Sequence, residues 1–204
     1  MIEWFRLYWP YALALAAACV FAAFMIKKAA IAYRKHQKDF HAEESRMRRL
    51  KALKEKYVPL TGETIENAPA QELLEGVALG LQLKLQKQEN TERAFLALNE
   101  AQQFVYTLDV FLSDKTAAVF FKENGQLLIE KIAPAFRAVG LVEFQTVIDR
   151  LAVMFNENDE TTSVDRAFVF EADEKFSEGH LLTKIKLQGA NYIQNHPEMF
   201  CSND

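Results

Sequence analysis

Residues 7–26, LYWPYALALAAACVFAAFMI, form an apolar run without a charged side chain, and Lys27 and Lys28 end it abruptly. Twenty helical residues rise about 30 Å at 1.5 Å each, the thickness of a bilayer's hydrocarbon core. Trp4, Tyr8, Trp9 and Tyr11 gather at one end as an interfacial aromatic belt, and Pro10 falls in the first turn, where its missing N–H matters least. The pattern predicts an uncleaved membrane anchor over residues 1–26. A cleaved signal peptide would carry a basic leader, a shorter apolar core and a small-residue cleavage site. Here the leader holds one Glu3 and one Arg6, and seven apolar residues follow Cys19.

Charge sets the expected orientation. Residues 1–56 carry 12 basic and 5 acidic side chains, and Arg6 is the only basic one ahead of the apolar run. The positive-inside rule therefore places the C-terminal part in the cytoplasm, beneath a single membrane pass. Residues 27–56 contain good helix formers and no Gly or Pro, which predicts a basic helical stalk. Phe40, Met47, Leu50 and Leu53 hint at a coiled-coil seam, but Glu43 and Glu44 interrupt the heptad. Residues 57–70, YVPLTGETIENAPA, hold two prolines and a glycine and read as a linker.

The remainder, residues 71–204, has the periodicity of an all-α domain. Leu73, Leu74, Val77, Leu81 and Leu85 step by helical intervals, as do Leu98, Ala101, Val105, Leu108 and Leu112. Leu127, Leu128, Ile132, Phe136 and Val139 form a third stripe, and Leu141, Phe144, Ile148, Leu151 and Phe155 a fourth. Gly140 between them is the expected C′ residue of a helical hairpin. Ser163 is a candidate cap for a helix over Phe168 to Phe176, and a last helix runs from about Gly179 to Asn195. AFVFEA is the one short stretch that alternates as a strand would. The phenylalanines are read as core.

Residues 57–204 carry 12 basic and 23 acidic side chains, a net charge of -11. Such a domain repels nucleic acid and an anionic leaflet and attracts basic proteins. No catalytic, cofactor or metal motif is present. His36 and His41 fall on different faces of a helix, and His180 and His196 lack partners at metal-ligand spacing. The loop after Asn156 lacks the glycine and closing glutamate of a calcium loop. There is no phosphate loop, dinucleotide turn or nucleophile elbow. What remains is acidic surface: Glu157, Asp159 and Glu160 in one loop, then Glu171, Asp173, Glu174 and Glu178, of which 171, 174 and 178 share a helical face. These seven residues are the expected partner-binding ridge, through charge-assisted contacts.

Three segments carry a family resemblance: FVYTLDVFL, the AFRAVGLVEFQTVIDRLAVMF hairpin, and the closing YIQNHPEMF. Together they resemble the DNA-mimic-protein-like domain, a helical bacterial domain, over about residues 66 to 200. The Asn-Gly-Gly-Phe-x-Gln usual in that family is here Asp114, Lys115, Thr116, Ala117, Ala118 and Val119 before Phe120 and Phe121. The resemblance implies a bacterial protein whose surface carboxylates occupy a DNA-binding protein, although a membrane anchor is not usual in that family. With the apolar run and the missing catalytic motifs, the expectation is a non-catalytic protein of the bacterial inner membrane whose acidic face binds a basic or DNA-binding protein. The competing expectation is a structural subunit that packs into a membrane-associated assembly by apolar surface.

Overall fold

In a computed structural model the protein is described over residues 2–114, 116–155 and 164–201, with only some of the side chains before residue 41. Every regular element among these residues is helical, as the three-four stripes require. The chain divides into two compact units, residues 1–51 and 52–204. The first unit lies within α1 (Ile2–Tyr57), and most side chains of residues 7–26 lie outside the described residues. Among the described residues no helix is long and apolar enough to cross a membrane.

The second unit begins earlier than the composition implies. Leu53 is 4% exposed and Tyr57 1%, so the last turn of α1 is part of the domain core. The expected stalk therefore ends before Leu53. The expected linker is packed as well: α2 (Gly62–Glu66) starts at Thr61, whose hydroxyl accepts from the Thr64 N–H at 3.2 Å, and it buries Ile65 completely. Pro and Gly mark turns in this stretch, but the apolar residues between those turns have a core to enter.

α3 (Ala70–Gln86) packs on α5 (Glu100–Ser113) and on α10 (Gly179–Asn195). This trio buries Leu73, Leu74, Val77, Val105, Ala190 and Ile193 in one apolar cluster with Tyr57. α4 (Thr91–Leu96) links α3 to α5, capped by the Asn90 side chain, which accepts from the Arg93 N–H at 2.8 Å. The buried Gln103 amide donates to the carbonyls of Phe95 and Leu98, holding the end of α4 against α5. The closing turn (Pro197–Met199) is tied back as well, because the Met199 carbonyl accepts from Asn99 at 2.7 Å and from Gln102 at 2.9 Å.

A second cluster is organised around Phe111. Its ring meets Phe120, Phe136 and Phe176 edge-on at 5.3, 5.4 and 5.2 Å, the arrangement that aromatic quadrupoles favour. These rings come from α6 (Ala117–Glu123), α7 (Gln126–Ala138) and α9 (Arg166–Ser177). Gly140 adopts φ 78° and closes α7: the Leu141 N–H reaches the Phe136 carbonyl at 2.9 Å and the Gly140 N–H the Arg137 carbonyl at 3.1 Å. That paired pattern is the left-handed helix stop expected at this glycine. α8 (Gln145–Met154) follows a short 3-10 turn and packs back on α7. AFVFEA lies in α9 and is helical, since Val169, Ala172 and Phe176 supply a helical stripe against the core.

Candidate interaction face

α9 starts at Asp165, whose carboxylate accepts from the Ala167 and Phe168 N–H groups at 3.1 and 3.2 Å. Ser163, the expected cap, lies outside the described residues. Arg150 of α8 fixes this end of the helix: its guanidinium pairs with Asp165 at 3.1 Å and stands 3.9 Å above the Phe168 ring.

Successive helical residues turn by about 100°, so the buried stripe Val169, Ala172, Phe176 determines where the other side chains of α9 point. Glu171 and Glu174 fall on the opposite side and are exposed. Phe170 falls there too and is 65% exposed, which places an aromatic ring beside two carboxylates. The assumption that the phenylalanines are core misses this residue. Its signal is its phase: it sits about 100° from Val169 and off the buried stripe.

The other residues of the expected ridge divide. Asp173 lies about 40° from Val169, at the edge of the buried face, and its carboxylate accepts from the Ala118 N–H at 2.9 Å. It caps α6 together with Thr116, whose hydroxyl accepts from the Val119 N–H at 3.2 Å. Asp173 therefore faces α6 and does not share the outward ridge. Glu178 stands just past α9 in extended geometry, between α9 and α10, and its carboxylate lies 3.3 Å from His180. It is exposed but is not a member of the helical face. Glu157, Asp159 and Glu160 lie outside the described residues.

Neighbouring charges are mostly engaged. Lys184 pairs with Glu143, and that contact holds the Glu143 carboxyl below the usual carboxylate range. Lys175 and Lys184 both approach the Phe144 ring, at 5.3 and 5.9 Å. A separate carboxylate, Asp109 on α5, is pushed up to about 7 chiefly by burial, with nearby Glu75 raising it further and Lys186 opposing. Asp109 belongs to the α3–α5–α10 side of the domain and not to the α9 face. Among the described residues no group of three His, Cys, Asp or Glu side chains stands close enough to hold a metal ion.

The α9 face is thus two exposed carboxylates and an exposed phenyl ring, with the Glu178 carboxylate standing just past the helix end. Ionised carboxylates of this kind accept hydrogen bonds and pair with cations. Compared with protein-family models, curated proteins and solved structures, the chain matches none of them.

Proposed function

We propose that this chain is a single-pass membrane protein whose acidic helical domain docks a basic protein through the outer face of α9, without catalysis. The observation that carries the reading is the juxtaposition of Phe170 with Glu171 and Glu174 on one exposed helical face. Carboxylates steer a cationic partner, while an exposed aromatic ring supplies apolar area that can become buried on contact. The net charge of -11 over residues 57–204 supports a basic partner and disfavours nucleic acid. The resemblance to the DNA-mimic-protein-like domain narrows the proposed partner to a DNA-binding protein. The apolar run 7–26, with its one-sided basic flank, supports an inner-membrane anchor and a cytoplasmic domain.

The test is recovery of partners with the intact protein in mild detergent, followed by titration of the recovered protein. Replacing Glu171, Glu174 and Glu178 by Gln should weaken binding by roughly 0.6 to 3 kcal/mol, with the larger loss at low salt. Phe170→Ala should weaken it by about 1 kcal/mol or more at both salts. Equal affinities for all three proteins would reject this face. A loss confined to Phe170→Ala, insensitive to salt, would favour packing into an assembly by apolar surface. Activity of an export-dependent reporter fused after Asp204 would reject the cytoplasmic orientation.

A further inference from the structure

On another part of the domain the acidic character is locally reversed. Between the end of α3 and α4 lies an open cleft of about 910 Å³, a volume within the range of small-molecule sites. Its wall carries Lys84, Lys87 and Arg93, with Glu89 as the acid among its lining residues and Leu85 and Leu98 on its apolar side. Three of the twelve cationic side chains of residues 57–204 thus stand around one cleft. Elsewhere Lys56, Arg150 and Lys184 are each tied to a carboxylate. Among the described residues no carboxylate pairs with Lys84, Lys87 or Arg93.

Some of this placement serves the helix ends. Lys84 lies in the last turn of α3 and Lys87 is its C-cap, where positive charge complements the helix dipole. Arg93 also lies in the last turn of its own short helix, α4, yet it comes from a different helix and faces the same hollow as the two lysines. An arginine offers a planar fork of donors to an oxyanion, and lysines add compact point charges around it.

We propose that this cleft binds a small anion bearing clustered phosphate oxygens, with Arg93 as the directional donor and Lys84 and Lys87 as the flanking charges. The rest of the domain repels such an anion, so the cleft is the place where the local field favours it. Leu85 and Leu98 offer contact to a short apolar portion of the ligand. The phosphate oxygens can belong to a soluble phosphate compound or to the headgroup of an anionic lipid, and the two sources present the same chemistry to these three cations.

The experiment is calorimetric titration of the full chain in detergent, using inorganic pyrophosphate in one arm and glycerophosphoglycerol, a lipid headgroup without its chains, in the other. Saturable binding with a Kd below about 1 mM at low salt is expected in at least one arm. The variant Lys84→Gln/Lys87→Gln/Arg93→Gln should lose about tenfold or more in affinity, while Lys122→Gln/Arg137→Gln, of equal kind but away from the cleft, should bind as wild type. The variant Lys84→Arg/Lys87→Arg should retain binding, which separates loss of charge from loss of shape. Tighter binding of pyrophosphate identifies a soluble phosphate compound, and tighter binding of the headgroup identifies lipid. Absence of saturable binding in both arms, or an equal loss in the two Gln variants, overturns the site.

Discussion

The Tyr57 ring packs against the backbone of α3 at Gly76, so closely that a β-carbon on residue 76 would run into the ring. This contact joins the end of α1 to the first long helix of the domain, and Tyr57 is 1% exposed within it. Gly76→Ala gains about 1 kcal/mol of helix propensity but adds a methyl group to a filled space, which costs about 1–3 kcal/mol. The expected outcome is a net loss of up to about 2 kcal/mol in urea unfolding, relieved when Tyr57→Leu is introduced alongside. Gly62→Ala, with open space around it, should show no comparable loss.

Leu53 tests where the domain begins. If it belongs to the core, Leu53→Ala should cost about 2–5 kcal/mol. Met47, 58% exposed in the same helix, should tolerate the same change within about 0.5 kcal/mol. Chemical denaturation of the whole protein, followed by circular dichroism, reads both. Equal effects of the two variants would return Leu53 to the stalk.

Asp173 separates structure from recognition. Because its carboxylate caps α6 at Ala118, Asp173→Ala should destabilise the domain by about 0.5–2 kcal/mol. At a temperature where the variant is fully folded, its partner affinity should match that of wild type. A partner defect without a shift in melting temperature would put Asp173 back on the binding face.

Asp109 should make stability depend on pH. Its folded-state value is pushed up to about 7, whereas an unfolded aspartate titrates near 3.9. Above about pH 7 the folded domain must hold the buried charge, and the full cost is present. As pH falls from about 7 toward 4 the folded state takes up a proton that the unfolded state does not, so this contribution to stability rises. The span is up to about 4 kcal/mol, and less wherever water reaches the half-buried carboxylate. Asp109→Asn should stabilise the protein at pH 8 and give a flatter profile between pH 8 and 5. Parallel profiles for the two proteins would show that Asp109 is not the group responsible.

The helices and their inward faces are legible without coordinates, because a helix turns by a constant angle and its buried residues recur every three or four positions. Leu73, Val77, Leu81 and Leu85, or Ile132, Phe136 and Val139, announce both the element and its core side, and all are buried. Gly140 is likewise a local matter of backbone sterics. The segments FVYTLDVFL, AFRAVGLVEFQTVIDRLAVMF and YIQNHPEMF supply Leu108, Phe111, Leu141, Ile148, Ile193 and Phe200, all of them core, so their apolar pattern speaks of packing more than of a site. What only the tertiary structure decided is which neighbour each remaining side chain meets. Periodicity does not reveal that Asp173 has an open helix end, α6, to cap, or that Tyr57 and Ile65, amid prolines and glycines, have a pocket to fill. Nor does it bring Arg93 round to the same hollow as Lys84 and Lys87. Contacts between residues far apart along the chain depend on how helices pack, and a local repeat carries no information about that arrangement.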